Sequence, residues 1–391
     1  MEIEAVRVGE FTLPNDFARA GVAGPLSPAP PGRVLVSVRN AGELVVFDVD
    51  RDNEPVARFA QPWPGSRNGS AVVGPDLNVA VFSGMTAVRA VDRDGRIRWE
   101  YRHACWGCSK MHETPLVPLD DDLHRWASSG SVAFGSDGRT LWAHVPKADS
   151  GEVSTGEVST GGLGEVSTGE LWVVLDAEEG TVLAQAELAT ATEGSHHVGH
   201  RDPATMGLGV GEGQDGSPAL WGTLRDGKLH VDRVTGDERV MLGAFDDRFL
   251  SVGHARNEEF AVQRISDHAV VGTFFADRMP GNGPRSAWDM TDLTVAADGR
   301  LVMSTSDKGH GDANVQHWLV DVRRVEVIGS IRYPADATTT ETDGPPPDPA
   351  EGAAAAPPPI TLGDGTWLTR GADRRRLTRW TTGDLPEAAP Q

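Results

Sequence analysis

The feature that most constrains this chain is a turn that keeps returning. "GSDGRTLWA" (135–143), "AADGRLVMS" (296–304), "FDDRFLSV" (245–252), "GPDLNVAV" (74–81) and "GDGTWLTR" (363–370) each set a polar Asp/Gly turn directly before an apolar run. A second turn closes the strand that follows, in "VDRDGRIRW" (91–99), "LDAEEGTVLA" (175–184) and "VDRVTGDERV" (231–240). Asp and Gly tolerate the left-handed backbone angles that tight hairpins need. The runs between turns are short and rich in β-branched residues, as in "RVLVSV" (33–38), "ELVVFDVD" (43–50), "LWVVLD" (171–176) and "WLVDV" (318–322). Runs of this length and pattern argue for strands. Long amphipathic helical patterns are hard to find, so the expected class is all-β.

The two turns alternate at roughly 40–65 residues, the period of a four-stranded propeller blade with variable loops. Six blades fall near 20–60, 68–103, 129–190, 194–239, 240–276 and 287–334. A seventh has three strands near 358–382, and "IEAVRVGE" (3–10) supplies its fourth. Closing a ring with a strand from the other end of the chain removes free sheet edges. On these turns and strands the chain resembles seven-bladed β-propellers of the WD-repeat and YVTN kinds over nearly its whole length. The strict Gly-His and Trp-Asp dipeptides of the WD-repeat family are missing. "GLGVGEGQDGSPALWG" (207–222) is similar to a stretch of uncharacterised propeller-like proteins from high-GC bacteria. The resemblance implies a single propeller domain over 1–391 and, most often, a binding role.

Two segments interrupt the pattern. The tandem "GEVST" insert within 150–170 reads as a solvated hairpin loop. The Pro/Ala/acid-rich stretch 335–358 reads as a linker before the closing blade.

Charge narrows the partners. The chain has 36 basic and 57 acidic residues, net −21. Such a surface repels nucleic acid and anionic membranes, leaving a protein, peptide or small-molecule ligand. The opening "MEIEAVRVGEFTLP" shows neither a basic start nor an apolar stretch, so no secretory signal or membrane anchor is expected there. Two cysteines cannot make a disulfide framework. The expectation is a cytoplasmic bacterial protein.

Both cysteines lie in "RHACWGCSKMHE" (102–113). His103, Cys105, Cys108 and His112 read H-x-C-x2-C-x3-H, a thiolate and imidazole set suited to zinc, with Gly107 easing the turn between the sulfurs. One short loop rarely wraps an ion from four sides. A set of Cys105, Cys108, one of these histidines and another from 193–200 is geometrically easier. Reduced packing cysteines and a redox pair are the other readings of the same residues; no helix signal follows, as a redox C-x2-C would want.

The blade map places the long loop 102–129 on one face with "EGSHHVGH" (193–200), "GEGQDGSP" (211–218), "GHARNEE" (253–259) and "SDKGHGDANVQH" (306–317). His103, His112, His124, His196, His254 and His310 then share that face. On a strand, His196 and His200 point one way and His197 the other. Two functions follow. The first is a binding module holding a partner protein, peptide or small ligand on its loop face, with Trp106, Trp126 and Trp288 as anchors and a zinc ion as an added feature. The second, by analogy with the propeller of virginiamycin B lyase, is a lyase or cyclase with His196, His254 and His310 as bases and Glu212 as their orienting carboxylate. Glu212 and Asp215 also read as turn residues capping backbone amides. "DKGHGDAN" (307–314) lacks the EF-hand pattern, and no nucleotide loop, hydrolase elbow or kinase signature is present.

Overall fold

The computed structural model describes residues 1–14, 17, 21–26, 28–30, 32–51, 54–63, 69–113, 124, 130–148, 169–214, 216–234, 238–307, 315–334, 358–371 and 375–383. The GEVST repeats, most of the 335–358 linker, Trp126, Asp215 and His310 lie outside the described residues. The chain forms two compact units. Unit 1 comprises Met1–Asn40, Leu44–Arg58 and Thr235–Gln391; unit 2 comprises Ala41–Glu43 and Phe59–Val234.

The fold is all-β. After β1 (Glu2–Thr12), the strands β2 (Gly21–Pro25), β3 (Leu35–Arg39), β4 (Glu43–Asp48) and β5 (Pro55–Ala60) make a four-stranded sheet, each beside the one before it. Three such sheets build unit 2. They are β6 (Ala71–Val73), β7 (Val79–Ser83), β8 (Ala87–Asp92) and β9 (Ile97–Arg102); β10 (Val132–Phe134), β11 (Thr140–Pro146), β12 (Glu170–Asp176) and β13 (Val182–Leu188); and β14 (Gly194–Gly199), β15 (Thr205–Gly211), β16 (Ala219–Arg225) and β17 (Lys228–Arg233). Unit 1 adds β18 (Arg239–Phe245), β19 (Arg248–Gly253), β20 (Glu259–Arg264) and β21 (Val270–Phe275). Its remaining strands are β22 (Ser286–Trp288), β23 (Arg300–Asp307), β24 (Gln316–Asp321), β25 (Glu326–Arg332), β26 (Ile360–Thr361), β27 (Trp367–Arg370) and β28 (Arg376–Thr382). These join β1 in one eight-stranded sheet, ordered β22-β23-β24-β25-β1-β28-β27-β26. Among the described residues no helix is long and apolar enough to cross a membrane.

The recurring turn is one physical device. The Asp carboxylate accepts the backbone N–H two residues on, in Asp76 to Asn78 (3.0 Å), Asp137 to Arg139 (2.9 Å), Asp298 to Arg300 (3.0 Å) and Asp364 to Thr366 (2.9 Å). Asp92 and Asp176 do the same for Asp94 and Glu178 in the second turn. Gly138 and Gly299 take the left-handed angles, φ 70° and 87°.

Inner and outer strands differ in sequence because they differ in burial. In β8 five consecutive residues are buried, while in β9 only Trp99 is. A strand buried on both faces reads as a continuous apolar run, and an outer strand alternates. Successive sheets share cores. One cluster joins Val79, Val81, Val88 and Ala90 to Leu141, Val145, Val173 and Leu175; the next joins Trp142 and Trp172 to Leu208, Val210 and Leu220. In unit 1, Leu250, Phe260 and Val262 pack with Leu301, Trp318 and Val320.

The strand expected over 3–10 pairs, as anticipated, beside the strand near 375–382: Ala5 opposes Thr382 and Thr12 opposes Arg376, antiparallel. The same strand does more than that. Glu2, Ile3 and Glu4 run parallel to Ser330, Ile331 and Arg332, so β1 fuses the last two expected sheets into one.

Candidate metal centre

The C-x2-C segment leaves β9 and folds back on itself. His103 N–H bonds Thr86 O (3.0 Å) and Trp106 N–H bonds Met85 O (3.1 Å), tying the segment to the β7–β8 turn. Cys105 O accepts from Cys108 N (3.4 Å) and Ser109 N (2.7 Å), and Cys105 N donates to Lys110 O (2.9 Å). Ser109 takes a left-handed angle, φ 57°, to complete the turn. Gly107 N–H points at Cys105 Sγ (3.4 Å). Arg102 holds the far side, donating to the carbonyls of His112 and Glu113.

This fold brings ligand atoms together. Cys108 Sγ lies 3.0 Å from His112 Nε2. The rings of His112 and His124 meet edge to face at 5.8 Å. One ligand atom from each of Cys105, Cys108, His112 and His124 lies within 4.8 Å of all the others. Zinc bond lengths of about 2.3 Å to sulfur and 2.0–2.1 Å to nitrogen give tetrahedral edges of about 3.3–3.8 Å. To reach that shell the Cys108–His112 pair would open from 3.0 Å, and pairs near the 4.8 Å limit would close. Two thiolates and two neutral imidazoles suit zinc. Four protein ligands leave no open position, which is the form of a structural site. Burial, reinforced by the neighbouring Cys108, pushes the Cys105 thiol up to about 11; a bound cation reverses that preference.

The expected ligand His103 is not in this group. It is the first residue beyond β9, and its Nδ1 bonds the Ala104 carbonyl at 2.6 Å. It is 3% exposed and its ring meets Trp106 edge to face, and burial pulls its pKa down to about 4. The ring is committed inward before the C-x2-C turn begins. No histidine of 193–200 joins the group either. The fourth member of the group is His124, from "DDLHRW" (121–126). Its only sequence signal is the pairing C-x2-C-x3-H-x11-H.

A second buried polar cluster lies beside the loop in unit 2. Fully buried His144 on β11 sits 3.1 Å from Glu170 on β12, through Nε2 and Oε2. Glu170 also accepts from the Thr190 hydroxyl and from Thr192 N–H (2.8 Å). Burial raises the Glu170 pKa, but His144 and these donors outweigh it and hold the carboxyl below its usual range. The Trp106 ring meets His144 edge to face at 5.6 Å. Next to it, Ser131 Oγ contacts His197 Nδ1 and Ser195 Oγ, both at 2.9 Å. This looks like a serine nucleophile with its base, but Trp172 Nε1–H donates to His197 Nε2 at 3.0 Å. The proton of the neutral ring is therefore on Nδ1 and points at Ser131, so His197 cannot take the serine proton.

Of the residues expected to be catalytic, His196 and Glu212 belong to unit 2, His254 belongs to unit 1 and His310 lies outside the described residues. Glu212 Oε1 accepts Ala191 N–H at 3.0 Å, the capping role of a turn residue. His254 N–H bonds Glu238 O (3.0 Å), and His200 Nδ1 accepts Asp202 N–H (3.0 Å). Trp288, expected as an exposed anchor, is 0% exposed, with its indole N–H on Phe274 O (3.2 Å). It closes the core between β20 and β22, and Trp106 is partly buried. No protein-family model matches the chain, and no curated protein matches it.

Proposed function

We propose that this protein is a metal-stapled binding module of the β-propeller kind, holding a partner protein, peptide or small ligand on its loops. One zinc ion, on Cys105, Cys108, His112 and His124, sets the shape of the longest of those loops. The observation that carries this reading is the convergence of the four ligand atoms within 4.8 Å of one another. Two further features support it. Four-stranded meanders repeat along the chain and share cores with their successors, which is how propeller blades stack. A four-ligand set also suits a metal that holds structure rather than one that activates water.

Metal analysis of freshly purified protein tests it. The expected result is one zinc per chain, lost to a strong chelator, with faster amide exchange over 103–113 and unchanged exchange in β11 and β12. A metal-free chain, or a chelator that leaves exchange in the loop unaltered, overturns the reading.

A further inference from the structure

Resting on the zinc reading above, we propose that Cys105 and Cys108 are also an oxidation site, which a peroxide-class oxidant closes to a disulfide with release of the metal. The geometry favours it on three counts. The pair spans a single turn, with Cys105 O accepting Cys108 N–H at 3.4 Å, so their Cα atoms are within about 7 Å, the reach of a disulfide. Their sulfurs lie within 4.8 Å of each other. They differ in access, since Cys108 is partly exposed and Cys105 is 0% exposed. That is the arrangement of an attacking thiolate with a shielded resolving partner.

The steps balance. The Cys108 thiolate attacks one oxygen of hydrogen peroxide. The O–O bond breaks, hydroxide leaves, and a sulfenic acid forms on Cys108. The Cys105 thiolate then attacks the Cys108 sulfur, the S–S bond forms, and the S–O bond breaks with loss of a second hydroxide. Two protons from solvent turn both hydroxides into water. The two sulfurs together lose two electrons and the peroxide gains them. Disulfide sulfurs are poor zinc ligands, so His112 and His124 alone remain and the dication leaves. Trp106 lies between the two cysteines and packs against both His103 and His144. Closing the pair therefore disturbs the contact between the loop and the buried His144–Glu170 pair.

The test uses the full chain as purified. Hydrogen peroxide is added in small molar excess, and three quantities are followed together: zinc release to a chromogenic chelator, free thiols and intact mass. The expected result is loss of one zinc and both thiols per chain, a mass lower by two hydrogens, and recovery with dithiothreitol and added zinc. Cys108→Ser is expected to abolish the mass loss. A chain that keeps its zinc under peroxide, or gains oxygen without losing two hydrogens, overturns the oxidation site. A chain that carries no zinc yet closes the disulfide overturns the zinc reading and supports the oxidation site, so the two failures are distinct.

Discussion

The indole N–H of Trp172 donates to Nε2 of His197 at 3.0 Å. An indole only donates, so this ring nitrogen carries no proton and the folded protein keeps His197 neutral. In unit 1, Trp367 Nε1–H donates to the Tyr333 hydroxyl at 2.8 Å, and that hydroxyl contacts Nδ1 of the buried His317. Burial pulls His317 down to about 4 and His197 well below the usual histidine range.

Acid is therefore expected to destabilise the fold through these rings. In the unfolded chain these rings take a proton near pH 6.5. In the folded chain His317 refuses it until near pH 4. Between those values the unfolded state holds more protons, so stability falls as pH falls. At pH 5 His317 alone costs about 2 kcal/mol, and His197 adds in the same direction. Urea midpoints at pH 7.5 and pH 5 check this, and His317→Asn is expected to flatten the slope. Equal midpoints for the unaltered chain at the two pH values would show that the rings protonate in place.

The ligand set is tested by contrast within one loop. His124→Ala removes a member of the cluster, and His103→Ala does not. Zinc affinity is expected to fall in His124→Ala by more than the 10–100-fold typical of an outer-shell change. His103→Ala is expected to keep one zinc per chain and lose stability instead, because its buried ring leaves a gap. Competition with a chelator of known affinity separates the two. The reverse order would restore His103 to the shell.

Gly130 is the tightest point beside the loop. A Cβ there would lie 2.0 Å from the His144 carbonyl oxygen and 2.6 Å from the Trp106 ring. Gly130→Ala is expected to cost about 3 kcal/mol by overpacking, read as a lowered melting temperature. A loss under about 0.5 kcal/mol, the range of a neutral surface change, would mean that the backbone around Gly130 and His144, as well as the Trp106 ring, gives way freely.

Much of the fold was legible because inner strands write their burial into the sequence. "LWVVLD" is an apolar run up to its closing Asp, and "AVRAVD" is one broken by Arg89, which stays buried by pairing with Glu100; β12 and β8 are the covered strands they imply. The Asp turns were legible because one side-chain bond repeats in each. The double duty of β1 was not, because parallel pairing at Glu2–Glu4 leaves no pattern of its own beside the antiparallel stretch that follows. The site was half legible. C-x2-C shows its sulfurs, but His124 arrives across a loop whose path no periodicity records. His103 looked equivalent to His112 because spacing does not show that one ring turns into the core. Glu170 and His144 were hidden inside strand patterns and meet only across β11 and β12.

Removing β1 is the remaining test of the eight-stranded sheet. Deleting residues 2–12 leaves β25 and β28 as open edges. It also removes the buried side chains of Ile3, Ala5 and Phe11. The expected result is a lower melting temperature and concentration-dependent association. Both are expected to be reversed by adding the 2–12 peptide in trans. A monomeric variant with unaltered melting would show that β1 is dispensable.

That strand also sets a timetable. Glu2 pairs with Ser330 and Ala5 with Thr382, so β1 must wait for strands far downstream of it. Until then it has no ladder partner, and the loop to be closed runs from β1 to β25 and β28. Contacts so distant in sequence slow folding, and a waiting edge invites pairing with a neighbouring chain. The meanders of β6–β9 and β10–β13 close from local contacts while synthesis continues. Completion of the eight-stranded sheet is therefore expected to be the slow phase of refolding, and its rate should depend on β1 rather than on zinc.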